Sequence, residues 1–130
     1  MDSVSELKII ELVKSEPRFT KEAYSFVTDA VSFTVGRLSS HRHVSARELL
    51  EGMRDYADKE YGVLAREVLD SWGIRSASDI GDLVYLLIGA ELLSASPGDR
   101  RSDFDIDFDP APDAAETAMP ALAFSLPKID

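Results

Sequence analysis

The chain has 130 residues, 45% hydrophobic and 29% charged, which fits a single domain with enough apolar material for a core. It contains no cysteine, which excludes a disulfide framework, a thiolate zinc site and a thiol nucleophile. The net charge is −10, with 16 acids against 11 bases in residues 1–94 and 8 against 3 in residues 95–130, so negative charge is densest in the C-terminal third.

A surface of this sign repels phosphate backbones and anionic lipid heads, so neither nucleic acid nor membrane is expected as a direct partner. The segment Met1–Glu6 has no cationic stretch leading into an apolar one. The longest apolar run, Leu83–Ala90, is broken by Gly89 and too short to cross a bilayer. A cytoplasmic location is the resulting expectation.

Ser3 and Glu6 form a capping-box pattern that opens a first helix, with Val4, Leu7, Ile9, Ile10, Leu12 and Val13 as a broad apolar stripe and Pro17 as its stop. Thr20 caps a second helix from Lys21 to Leu38, with Phe19 and Tyr24 placed to staple its entry. Its residues Ala23, Val27, Ala30, Val31, Thr34 and Leu38 recur at helical spacing, which outweighs the β-rich composition of Val31–Val35. Ser45 and Glu48 box the start of a third helix that buries Leu49, Met53, Tyr56 and Ala57 and ends at Gly62. A fourth helix, Val63–Trp72, buries Leu64, Val68, Leu69 and Trp72; Gly73 and Ile74 then form a Schellman stop. The fifth starts at Ser76 or Ser78 and runs to Leu93; apolar on nearly every side, it is expected at the centre of the domain.

Beyond Ser94 the pattern changes. Ser96-Pro97-Gly98 breaks the chain, and Pro110, Pro112, Pro120 and Pro127 exclude a continuing helix. Phe104, Ile106 and Phe108 alternate with aspartates at the two-residue period of an extended strand, and Leu122, Phe124 and Leu126 repeat that period. These six residues are the candidate partner-binding positions, because three large apolar side chains in register can anchor a strand to a sheet edge or groove. For residues 103–109 the alternative is packing on the chain's own helices; residues 110–130 are expected to be flexible. The predicted architecture is therefore all-α: a compact five-helix domain over residues 1–94 carrying an extended acidic, Pro/Ala-rich tail over residues 95–130.

Asp105, Asp107, Asp109, Asp113 and Glu116 have the spacing of calcium-loop ligands, but Pro110 stands where the loop requires glycine, so a solvated acidic run is the better reading. His41 and His43 lack an evident third ligand. Arg37, Arg42, Arg47 and Arg54 make the one basic stretch, which admits a helix-turn-helix reading of helices three and four; Glu51 and Asp58 one turn on cancel much of that field. No serine lies in a nucleophile elbow and no glycine pattern cradles phosphate. No catalytic residue, metal ligand or cofactor is assigned.

The stretches Ala23-Tyr24-Ser25-Phe26-Val27, His43 to Gly52, Val68 to Ile74, Asp79 to Tyr85 and Asp99 to Phe108 resemble an uncharacterised family of small bacterial proteins known only as a domain of unknown function. The resemblance covers about residues 20 to 109 and departs at Ile80, where the family carries phenylalanine, and in the longer tail. It implies no activity, but it places Asp103, Phe104 and Phe108 in the domain's own pattern. The leading functional expectation is a non-enzymatic protein-interaction or accessory module with a C-terminal docking segment and a protein partner. Alternatives are a nucleic-acid-associated regulator using helices three and four, a small metal-dependent enzyme, and, for assembly, a homo-oligomer.

Overall fold

A computed structural model describes residues 3–40 and 42–111, and all their regular structure is helical. Four helices of 13 to 16 residues dominate it: α1 (Ser3–Ser15), α2 (Lys21–Gly36), α3 (Ala46–Tyr61) and, after the short α4 (Ala65–Ser71), α5 (Ala77–Gly89). The segment expected as a full fourth helix is a 3-10 turn, Gly62–Leu64, followed by the seven-residue α4. Gly62 at φ 54° ends α3, and the tight turn after it leaves Val63 and Leu64 exposed, so the expected burial of Leu64 does not occur.

The local signals act as their chemistry requires. Thr20 accepts from the Ala23 N–H at the start of α2, and Phe19 meets Tyr24 edge-on at 6.2 Å. The Ser45 hydroxyl accepts from the Glu48 N–H while the Glu48 carboxylate accepts from the Ser45 N–H, both at 3.1 Å. At the end of α4, Gly73 takes φ 94°, a conformation costly for any residue with a Cβ, and the Ile74 N–H reaches the Leu69 carbonyl at 2.9 Å. Ser76, rather than Ser78, caps α5 and forms a second capping box with Asp79.

Packing is organised around α2, which touches α1, α3 and α5. Its crossing with α3 is close because Gly52 lies directly against Thr34, whose hydroxyl donates to the Ala30 carbonyl at 2.8 Å and so has its buried oxygen satisfied. The expectation that α5 is surrounded by the other helices is corrected: one face packs on α2, and the other is covered by the segment after residue 94. The helix ends at Gly89, short of Leu93, because the chain turns through Glu91 at φ 63° and the Leu92 N–H returns to the Leu87 carbonyl at 2.9 Å. The folded unit thus extends past residue 94: Phe104, Pro110 and Ala111 are buried on it.

Two outcomes are expected. A Cβ at Gly52 would lie 2.0 Å from the Thr34 hydroxyl oxygen, so Gly52→Ala forces the central crossing apart and should lower unfolding free energy by about 1–3 kcal/mol in urea titrations. The Glu48 carboxyl, hydrogen-bonded by Arg42 and by the Ser45 N–H, is held below the ordinary carboxylate range, at about 2. Its depressed folded value means the cap's electrostatic contribution is complete above the ordinary carboxylate range and is lost as pH falls through about 2. Side-chain NMR should find the Glu48 midpoint near 2, and Arg42→Ala should move it upward.

Candidate functional site

The segment from residue 95 to 111 is held to the helices by a cation–carboxylate cluster with an aromatic anchor beside it. Arg101 lies on a 3-10 turn, Arg101–Phe104, and its guanidinium donates to Asp82 at 2.6 Å, to Asp105 at 2.8 Å, and to the carbonyl and hydroxyl of Ser78, each at 2.8 Å. Arg18, from the α1–α2 loop, donates to the other oxygen of Asp82. Desolvation pushes the Asp82 carboxyl up, but the two arginines together outweigh it and the net shift is downward. Gly81 makes this approach feasible, since a Cβ there would lie 2.6 Å from the Phe104 Cβ.

The same turn decides the fate of the period-two residues. Phe104 is buried and meets Tyr85 edge-on at 6.4 Å. Phe108 is half-buried, with the guanidinium groups of Arg47 and Arg54 at 5.5 and 5.9 Å from its ring centre. Ile106 is exposed. Phe104, Ile106 and Phe108 therefore do not form one extended apolar face, because Phe104 closes the 3-10 turn and the chain after it is irregular, bending at residues 106 and 107. The two phenylalanines serve the chain's own core. Leu122, Phe124 and Leu126 lie outside the described residues.

The charged candidates are engaged at home. Asp105 faces Arg101, Asp109 faces Arg66, and no group of three or more potential metal ligands occurs among the described residues. His43 lies 3.3 Å from Asp99, tying the α2–α3 connection to the C-terminal segment; His41 is outside the described residues. In the basic stretch Arg37 pairs with Asp55 at 2.6 Å, Arg42 with Glu48 at 2.8 Å and Arg47 with Glu51 at 3.4 Å. A nucleic-acid surface needs cations free to displace counterions, and these three already face carboxylates.

Two further surface features of the described residues bear on binding. The first is the outer side of α1, where Val4 and Leu7 are each 63% exposed and Ile10 39%, so only Ile9 of the expected stripe is fully buried. Val4, Leu7 and Leu12 line an open groove of about 550 Å³ that is closed on its far side by Ala90 and Glu91. The left-handed backbone of Glu91 thus sits at the groove's edge.

The second feature is a cleft of about 230 Å³ between α2, the end of α3 and the end of α4, lined by Phe26, Tyr56, Tyr61 and Trp72 with Glu22 and Asp29 among its other walls. Tyr61 and Trp72 stand nearly perpendicular at 83° with ring centres 5.6 Å apart, and Phe26 closes the floor at 5.8 Å from Trp72 and 5.6 Å from Tyr56. Of these aromatics, helical periodicity places Tyr56 and Trp72 on the buried stripes of their helices and says nothing of Tyr61. Their convergence depends on the short α4, which helical periodicity did not reveal.

No family model, curated protein or solved structure matches the chain. Phe104→Ala should empty the anchor position and cost about 3–5 kcal/mol in chemical unfolding, a loss of core packing. If Phe104 instead served an outside partner, stability would be unchanged.

Proposed function

We propose that the chain is a non-enzymatic protein-interaction module of the cytoplasm, which receives an apolar helix face of another protein on α1. The observation that carries this reading is the exposure of Val4, Leu7 and Ile10 along one helix beside a groove bounded by the end of α5. Water contact with large aliphatic side chains is unfavourable by roughly 25 cal/mol for each Å² left uncovered, so a partner that covers them gains binding energy without disturbing the core. Helix-in-groove recognition uses anchors at three- and four-residue steps, and the exposed Val4, Leu7 and Ile10, each three residues after the last, supply such a ridge. Leu122, Phe124 and Leu126 form the second contact of the proposal, a docking segment at the C-terminus. The family resemblance belongs to the same proposal and adds no activity to it.

The test is a comparison of proteins that co-purify with the full-length chain, with Leu7→Asp, and with the chain lacking residues 112–130. Leu7 is exposed, so Leu7→Asp should leave the unfolding midpoint unchanged while removing a defined set of partners. An identical set from the unaltered chain and Leu7→Asp would end the role of α1. An identical set without residues 112–130 would end the role of the tail.

A further inference from the structure

Four aromatic rings drawn from three separate helical elements converge on one cleft that opens to water. Phe26 is fixed within the core, while Tyr56, Tyr61 and Trp72 are half-buried and present ring surface to the opening. Trp72 is held in place by its backbone: its N–H donates to the Leu69 carbonyl at 3.0 Å, and its own carbonyl accepts from the Thr20 N–H at 3.3 Å. The cleft is thus a preformed structure whose walls are braced from both α2 and α4.

Its charge is one-sided. Glu22 and Asp29 line it against the single cation Lys21. Burial pushes the Tyr56 and Tyr61 hydroxyls up, and the carboxylates of Asp29 and Glu60 add to that shift at both. Negative potential from these carboxylates and the electron-rich ring faces favour the same guest. We infer that this cleft is a binding site for a methylated ammonium cation, which its aromatic walls enclose and Asp29 and Glu22 neutralise.

The choice of head group follows from hydration and size. A primary ammonium is compact and strongly hydrated, with three donors that need acceptors. A trimethylammonium group has no donors, holds water weakly, and loses little on moving from water onto aromatic ring faces. Aromatic rings attract it through their quadrupoles, best of all at tryptophan. At about 230 Å³ the cleft is below the size of pockets that take whole drug-like ligands, so it suits one such head group with its tether in solvent. A zwitterion carrying a carboxylate close to the ammonium would bring that charge against Glu22 and Asp29.

The chain's single tryptophan is Trp72, so its emission reports on the cleft alone. Full-length protein should be titrated at constant ionic strength with choline, and in parallel with the neutral carbon isostere 3,3-dimethylbutanol. Choline should give a saturable change in Trp72 emission, and the isostere should bind at least about tenfold more weakly, the factor expected when a cation–π contribution is removed. Asp29→Asn, at an exposed position that cannot disturb the core, should weaken choline several-fold, and Lys21→Gln should strengthen it. Tyr61→Leu, with its unfolding midpoint measured alongside, should abolish saturation. A peptide carrying trimethyl-lysine distinguishes the sources: tighter binding than choline assigns the head group to a protein chain, equal or weaker binding to a free small molecule. Equal responses to choline and the isostere, no saturation by about 100 mM choline (an affinity too weak to be specific), or unchanged affinity in Asp29→Asn would overturn the proposal.

Discussion

The contact between Gly52 and Thr34 sets the distance between α2 and α3, and most of the remaining architecture follows from that distance. Where two helices cross with a glycine on one side, their backbones approach more closely than ridge-into-groove packing of larger side chains allows. The threonine can occupy the space left by the missing side chain because its hydroxyl returns to the Ala30 carbonyl within its own helix. One turn beyond Gly52, the same closeness brings the Tyr56 ring to within 5.3 Å of Phe33 and 5.6 Å of Phe26, centre to centre. The aromatic seam is therefore a consequence of a small residue at the crossing. A larger residue at position 52 would separate the rings as well as the backbones.

The second closure, over α5, works by a different balance. That helix carries more apolar surface than α2 can cover, and among the described residues no further α-helix follows it. A stretch rich in aspartate covers the remainder, which composition alone would not predict. Arg101 makes this possible by satisfying Asp82, Asp105 and the Ser78 oxygens at once, so that carboxylates are brought to an apolar face without being left unpaired. Phe104 then supplies the burial. The guanidinium's planar fork of donors suits this multiple role, which a lysine's single ammonium could not fill from one position.

These two closures explain what could be read from the sequence and what could not. Caps and stops are local: Thr20, Ser45, Gly62 and the Gly73–Ile74 pair act on backbone groups within a few residues, so the boundaries of α2 and α3 and the end of α4 were legible to within two residues. The partition of apolar residues between core and surface is not local. In α1 six apolar positions looked equivalent, yet Ile9 alone is fully buried, because α1 meets the body along one narrow line and Val4 and Leu7 fall outside it. Alternation in 104–108 was equally ambiguous. A two-residue period is also compatible with a 3-10 turn followed by irregular chain when arginine fixes the turn to a neighbouring helix, and Arg101 precedes the alternating run rather than lying within it. The aromatic cleft was invisible for the same reason, since its rings come from positions 26, 56, 61 and 72 and no local pattern joins them.

Charge has a consistent distribution across the molecule. The arginines that could have made a basic face are drawn into pairs with carboxylates or over rings: Arg37 against Asp55 and Phe33, Arg42 against Glu48, Arg47 against Glu51 and Phe108. Because the acids outnumber the bases, carboxylates remain in excess once these pairs have formed and the net charge is negative. An ion pair formed within the chain contributes little field at a distance, whereas unpaired carboxylates near low-dielectric walls contribute more. Asp29 and Glu22 stand in that second situation, in a cleft that they line together with four aromatic rings. Selectivity for cations at this point thus requires no specialised residue. It follows from an acidic composition, a set of arginines that are internally satisfied, and four rings held open by a close helix crossing.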